Sequence, residues 1–525
     1  MDCPAAGCTR CALTNVLVED SLDGVEKRIV ELKELTRQMY TKRNALVSIG
    51  RLPPELLTTI FAFVVAGASH RVSLASTFNF THVSCYWRQL AFASPELWSS
   101  LTSRSLPWCQ VMLQRAKAAN LSVDMADHGR DPEQMAFFRD VISKHISRIE
   151  TMSLALHLPC RYTSRFLKTF PTSSPGKLRF LKITMSPGGS QRPRLRDQCL
   201  MGTSVLLTLE LHNCDFDWNL PELKNLSTLK VLNGRALSPM DQIIRSLVNT
   251  PALEVLELTL SLLDANLDNS KLLESTALRN LRELALTCDI DQTIILRHLV
   301  VPATARVNID CSSGASSDTA SNTLSLSLNV FTSSLIIDNS NSKALFAHLD
   351  IRSRGLTSIV LKFDAVDTWP RPGFLLFPHL TLIIPKTIPK LSHILSGLPL
   401  HLLNSLSIDT HFTSIDFLQS FGPLNNLKHV CLTRECLSEA LRGPLAPLSI
   451  SSATPPPLPN LESLLLERLD DFGEWEIQLQ QVRDYLKKRS EGGWPIQTLY
   501  LGISCSLRAE EIASLEEEVK VKSRQ

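Results

Sequence analysis

Leu206-Leu207-Thr208-Leu209-Glu210-Leu211 and Leu253-Glu254-Val255-Leu256-Glu257-Leu258 state one phrase twice, L-x-x-L-x-L. With Ile or Val admitted at the apolar places, it returns at Leu178-Leu181-Ile183, Leu226-Leu229-Val231, Leu281-Leu284-Leu286 and Leu356-Ile359-Leu361. Further copies are Leu403-Leu406-Ile408, Leu427-Val430-Leu432, Leu461-Leu464-Leu466 and Ile496-Leu499-Leu501. Weaker ones lie at Ile149-Met152-Leu154, Val307-Ile309, Leu335-Ile337 and Leu380-Leu382. The middle residues 181, 209, 229, 256 and 284 are 28, 20, 27 and 28 apart. Positions 307, 335, 359, 380, 406 and 430 follow at steps of 28, 24, 21, 26 and 24. In x-L-x-L-x the leucines alternate with period two, which sets them on one face of a short strand. One such strand cannot bury that face alone, whereas copies stacked side by side give a parallel sheet and a continuous core.

The intervals match a leucine-rich repeat. Between copies, Pro239 to Val248 places apolar residues at helical steps, with Ser238 as a cap. The expected fold is an α/β solenoid: an irregular leucine-rich-repeat horseshoe over 146–507, its strands forming a curved parallel sheet. Connecting helices and a first repeat-like unit occupy 102–145, and 508–525 reads as a charged C-terminal tail. Leu209, Leu211, Leu256, Leu258, Leu284 and Leu286 should be core. The copies are degenerate, because only Cys214 fills the Asn/Cys place after the phrase; Ser261 and Asp289 stand in two others. Three stretches read as surface loops: Met185–Gly202 with Arg192, Arg194 and Arg196, the Ser-rich Cys311–Leu328, and Gly443–Pro459 with Pro455-Pro456-Pro457.

In x-L-x-L-x the x side chains point away from the leucines and line the other face, the candidate substrate surface. They are Lys182, Glu210, His212, Lys230, Glu257, Glu283, Lys362, Asp409, His429, Glu467 and Tyr500. Mixed signs and few aromatics disfavour a nucleic-acid track and favour a protein partner.

Across all 525 residues the formal net charge is +2, which removes the long-range field of a general nucleic-acid or polybasic membrane binder. The longest apolar run, about residues 59–68, is half of what a spanning helix needs, and no secretory leader is read. Thirteen cysteines, an odd number spread from Cys3 to Cys505, suit a reduced intracellular protein, cytoplasmic or nuclear or both. Residues 1–19 read as a disordered terminus. Cys8-Thr9-Arg10-Cys11 with Cys3 lacks a matched second ligand pair, so no metal is expected. Residues 20–50 form an amphipathic segment, with a helix from Asp20 to Ser48. Leu22, Val25, Ile29, Leu32, Met39 and Leu46 fall on a 3–4 stripe that Thr36 and Arg43 interrupt. The stripe is expected to pack on its own protein rather than form a coiled coil.

The sharpest motif spans 51–101. It begins Leu52-Pro53-Pro54-Glu55-Leu56-Leu57, continues Val83-Ser84-Cys85-Tyr86-Trp87-Arg88, and closes Ser94-Pro95-Glu96-Leu97-Trp98. Independently, Leu56, Leu57, Ile60, Phe61 and Val64 recur at helical steps, and Val83, Trp87, Leu90 and Ala91 do the same. So many large apolar side chains in so short a segment mark a partner surface. The motif resembles the F-box, most of all the version in large families of mushroom-forming fungi, which pair an N-terminal helix, an F-box and a repeat region. Ser84 stands where that pattern has Cys, and 66–77 lengthens the gap between the helices.

The resemblance implies an all-helical F-box that docks on a Skp-type adaptor and, through it, a cullin. Leu52, Pro53, Leu56, Ile60, Val83, Trp87, Leu90, Pro95, Leu97 and Trp98 would form or support the docking surface. The repeats would hold an as yet unknown protein substrate. The chain would then be a non-catalytic, cofactor-free substrate adaptor of a ubiquitin ligase, with no nucleic-acid or membrane partner. The alternative is a protein-interaction scaffold outside any ligase. No phosphate loop, dinucleotide fingerprint, H-E-x-x-H or G-x-S-x-G accompanies the motif, so no catalytic residue is expected.

Overall fold

The computed structural model describes residues 21–67, 77–103, 105–127, 132–156, 175–186, 205–214, 216–218, 221–233, 240–260, 275–311, 318–335, 346–354, 358–364, 380–386, 391–410, 420–421, 424–442, 456–467, 475–502 and 507–523, with positions 195, 200, 203 and 445. The expectations for 1–19, for Cys3, Cys8 and Cys11, for Ser238 and Pro239, and for Arg192, Arg194 and Arg196 lie outside them. The chain divides into two units, 1–125 and 126–525.

In the first unit Ser21 caps α1 (Leu22–Leu46) by accepting the Gly24 amide at 3.1 Å. Prolines open α2 (Pro54–Ala66), where a missing N–H costs nothing. Ser84 caps α3 (Cys85–Ala93), its hydroxyl taking the Trp87 amide at 3.1 Å. The serine at the motif's departure thus starts the helix. β1 (Ser100–Thr102) precedes α4 (Leu106–Ala116) and pairs parallel with β2 (Leu121–Asp127). An aromatic stack forms the core. Phe61 lies on Phe80 at 4.4 Å and near Trp87 at 5.2 Å, while Phe78 lies on Trp98 at 4.5 Å. The Arg115 guanidinium covers Trp98 at 4.4 Å. Against expectation, no residue of α1 is buried. Its stripe, broken at Thr36 and Arg43, is exposed along its whole length.

The second unit begins with α5 (Pro132–His145) and carries α6 (Met240–Val248) further along the chain. Its strands then run β3 (Ile149–Leu156), β4 (Phe180–Met185), β5 (Thr208–His212), β6 (Thr228–Leu232), β7 (Val255–Leu260), β8 (Glu283–Cys288) and β9 (Arg306–Asp310). Each pairs parallel with the next. Their register keeps the phrase in phase: Met152, Leu181, Leu209, Leu229, Leu256, Leu284 and Val307 form one lateral row. That row is buried throughout, as are Leu211, Leu258 and Leu286 two residues on.

Single file then breaks. β9 pairs parallel with β12 (Leu380–Pro385), which pairs antiparallel with β11 (Ser358–Asp364), and that strand pairs antiparallel with β10 (His348–Arg354). β10 pairs parallel with β13 (Ser405–Asp409), and chain order resumes through β14 (His429–Thr433), β15 (Ser463–Glu467), β16 (Thr498–Leu501) and β17 (Lys520–Ser523). Only residues 355–357 join β10 to β11, and a parallel crossover needs a dozen residues or more, so the chain must turn back. The sheet is therefore large and mostly parallel rather than wholly so, and among the described residues no pairing closes it into a barrel.

Two segments differ from expectation. Much of the Ser-rich stretch is α7 (Asp318–Ser333), with Ala320, Leu324, Leu328 and Phe331 buried at helical steps. Ser327, also buried, donates to the Thr323 carbonyl at 2.7 Å and accepts from Arg297 at 3.1 Å. The tail is not a tail: Ala509–Glu516 is helical and β17 adds a strand to the sheet. Its lysines, 520 and 522, alternate with Val519 and Val521. No described helix is long and apolar enough to cross a membrane.

Candidate binding surfaces

α2 has two unlike sides. Leu57 and Phe61 are buried, Phe61 to 1% exposure. Leu56 is 52% exposed, Phe63 74%, and Ile60 and Val64 are exposed with them. These four follow one helix face at steps of four and three. On and before α3, Val83, Tyr86 and Phe92 are exposed, and Trp87 and Leu90 are half-buried. Pro53 is exposed, and Leu52 and Pro95 are half-buried. Leu97 and Trp98 do not belong on that surface: both are buried. The Trp98 indole N–H donates to the Ala91 carbonyl at 2.8 Å, so the ring anchors the end of α3 from within. Phe63, Val64 and Tyr86 are additions that a helical wheel finds but the motif does not mark.

The polar face of the second unit is set by register. The x positions between the leucines form one lateral row: Lys182, Glu210, Lys230, Glu257, Ala285, Asn308, Thr381, Lys362, Asp350, Ser407, Cys431, Leu465, Tyr500. Its first four members alternate in sign. Lys182 meets Glu210 at 2.9 Å and Lys230 meets Glu257 at 3.1 Å. The hydrogen bond to Glu257 holds the Lys230 ammonium above its ordinary pKa, against the opposing pull of burial. His212 sits one row along, beside Thr184, and burial together with Lys182 pushes its pKa down. Glu283 is exposed but lies in a different row, between Val255 and Arg306.

A second polar group lies past the strand reversal. Asp350 is buried and receives the Arg352 Nε at 2.9 Å. Arg352 stands opposite Asp409 in register. Burial lowers its pKa, but Asp350, Asp409 and Glu467 outweigh that and hold it above the ordinary value. His348 Nδ1 lies 2.6 Å from the Ser405 hydroxyl, and Ser405 is followed in its row by His429. Tyr500 carries Lys522 Nζ at 5.6 Å from its ring centre. Lys362 is flanked by Asp350 and Thr381. In this half the middle row closes over, since Ser407, Cys431 and Leu465 are buried. The structure thus joins Lys182, Glu210, Lys230, Glu257 and His212 in one accessible patch. It gathers Asp409 and Glu467 about Arg352, with Lys362 beside Asp350 in register; Glu283, a row away, still acts on the Lys230 charge, and His429 and Tyr500 belong to neither group. Asp350 and Arg352 went unmarked because β10 carries no copy of the phrase, although His348-Leu349-Asp350-Ile351-Arg352 alternates with period two.

Among the described residues no group of three or more His, Cys, Asp or Glu side chains is placed to hold a metal ion. No protein-family model matches the chain, and no curated protein matches it.

Proposed function

We propose that the chain is the substrate-recognition adaptor of a Skp–cullin–F-box ubiquitin ligase. Residues 51–101 are its F-box and dock on the Skp adaptor, and the leucine-rich repeats hold a protein substrate. The chain performs no chemistry; it raises the local concentration of substrate at the transfer enzyme. The observation that carries this is the α2 stripe of Leu56, Ile60, Phe63 and Val64, which stays in solvent while the opposite side builds the aromatic core. A contiguous apolar stripe of this kind marks an interaction site, and it falls inside the segment that resembles the F-box. The in-phase rows of leucines support the repeat reading, and the alternating Lys–Glu patch supplies complementary charge for a protein partner, which governs specificity more than affinity.

The test is co-purification of the tagged full chain with a purified Skp-type adaptor and a cullin. A ternary complex is expected. The adaptor without the cullin favours a scaffold outside the ligase, and the absence of both overturns the proposal.

A further inference from the structure

α1 presents an exposed apolar seam. Its heptad a positions are Leu22, Ile29, Thr36 and Arg43, and its d positions are Val25, Leu32, Met39 and Leu46. No residue of this 25-residue helix is buried, and Leu22 and Met39 are 75% and 67% exposed. Apolar side chains repeating every 3.5 residues fit best against a helix of the same period, because each knob then finds a hole along the whole length. We propose that α1 pairs antiparallel with α1 of a second copy of this chain.

The sequence of the seam selects the second copy and its direction. Turned about a centre at Glu34, the seam complements itself. Leu22 meets Leu46, Ile29 meets Met39, Leu32 meets Thr36 and Val25 meets Arg43. Parallel pairing would instead stack Arg43 on Arg43 in a core layer. In the antiparallel form each Arg43 sits beside Glu26 of the other copy, the neighbour of Val25. The halves also differ in charge. From Leu22 to Glu34 the acids Asp23, Glu26, Glu31 and Glu34 exceed the bases Lys27, Arg28 and Lys33, whereas Leu35–Leu46 holds Arg37, Lys42 and Arg43 with no acid. Reversal sets the acidic half of one helix along the basic half of the other, but only Glu26, Arg28, Lys33, Lys42 and Arg43 lie at or beside the seam, and Arg37 is already paired with Glu34 at 2.6 Å. Arg28, whose rim neighbour would be Lys42, is already paired with Glu31 at 2.7 Å. One cost remains, Lys33 against itself across the axis.

The partner is this chain, so the experiment is its own oligomeric state, measured by light scattering after size exclusion at micromolar concentration. The full chain should have twice the chain mass. Ile29→Glu with Leu32→Glu should weaken the dimer about a hundredfold or more, since charges enter the core layers. Far-UV circular dichroism of the variant should still report a folded chain, because α1 contributes no buried residue. Glu26→Lys or Arg43→Glu alone should weaken the dimer, and the two together should restore it. A monomeric wild-type chain overturns the proposal and leaves the seam to a different partner. So does a dimer indifferent to Ile29→Glu with Leu32→Glu. Failure of the double charge swap to rescue the dimer overturns the antiparallel arrangement.

Discussion

Phe61 and Phe63 are the same residue type two positions apart, and their substitution should have opposite consequences. Phe61 is 1% exposed and stacked on Phe80 at 4.4 Å, whereas Phe63 is 74% exposed. Phe61→Ala should cost about 3–5 kcal/mol of stability, the usual loss for a buried aromatic. Phe63→Ala should cost little stability, because most of its surface is already in water. Under the proposed docking, its burial would come when the adaptor binds. Complete burial of such a side chain is worth roughly 1.5–3 kcal/mol, so about three quarters of that, ~1–2 kcal/mol, is left for the adaptor interface. Leu56 and Ile60, about half exposed, should add roughly 1 kcal/mol each. Leu56→Ala, Ile60→Ala and Phe63→Ala together should therefore remove ~3 kcal/mol, a loss of affinity of about a hundredfold or more. Calorimetric titration with the Skp-type adaptor measures the affinity, and a thermal melt of the same sample measures the fold. A folded triple variant that binds the adaptor as the wild type does would refute the docking assignment. A Phe63→Ala chain that melts as early as Phe61→Ala would refute the division of α2 into two faces.

Arg489, fully buried in the helix Trp475–Glu491, donates to the carbonyls of Pro457, Leu458, Pro459 and Trp494 and to the Tyr485 hydroxyl. Arg489→Met should cost about 3–5 kcal/mol by leaving those acceptors unpaired, and a denaturant titration showing less than about 1 kcal/mol contradicts this. Exchanging both ladder pairs (Lys182→Glu, Glu210→Lys, Lys230→Glu, Glu257→Lys) keeps every ion pair but inverts the charge pattern. The melt should shift little, since the exchange keeps each partly exposed pair and pairs open to solvent are worth about 0–1 kcal/mol each, while proximity labelling of substrates should fall. Unchanged labelling places recognition elsewhere. Burial and Lys182 hold the His212 pKa below its ordinary value of 6.5. The unfolded chain therefore binds the proton first, and stability is lost as pH falls below 6.5 through the folded value. His212→Gln should flatten that part of the pH–stability curve, and an unaltered curve excludes His212 as its source.

What the sequence made legible follows from what a short phrase encodes. Period two determines which side chains are buried, and it held for every strand from β3 to β9; from β13 to β15 the phrase positions are buried as expected, but Ser407, Cys431 and Leu465 between them are buried as well. Period two does not encode direction. Leu356-Ile359-Leu361 has the same pattern as its neighbours, yet Ile359 and Leu361 lie on a strand that runs the other way. The deciding quantity was the three-residue connection before it, too short for any crossover. Composition hid α7 and β17 for related reasons. In α7 Ser327 returns its hydroxyl to the Thr323 carbonyl of its own helix and so occupies a buried position normally left to an apolar residue. In β17 the lysines are exposed while the half-buried Val521 stands beside Leu499 in register. The same limit governs the N-terminal unit. A motif marks residue types and spacing, so it groups Leu56 with Trp98. Only the packing separates a side chain that meets water from one that supports it from beneath. Ser84 makes the point at one atom: in the sequence it is a departure from a pattern, and in the structure its hydroxyl on the Trp87 amide begins α3, whose Trp87 ring lies 5.2 Å from Phe61.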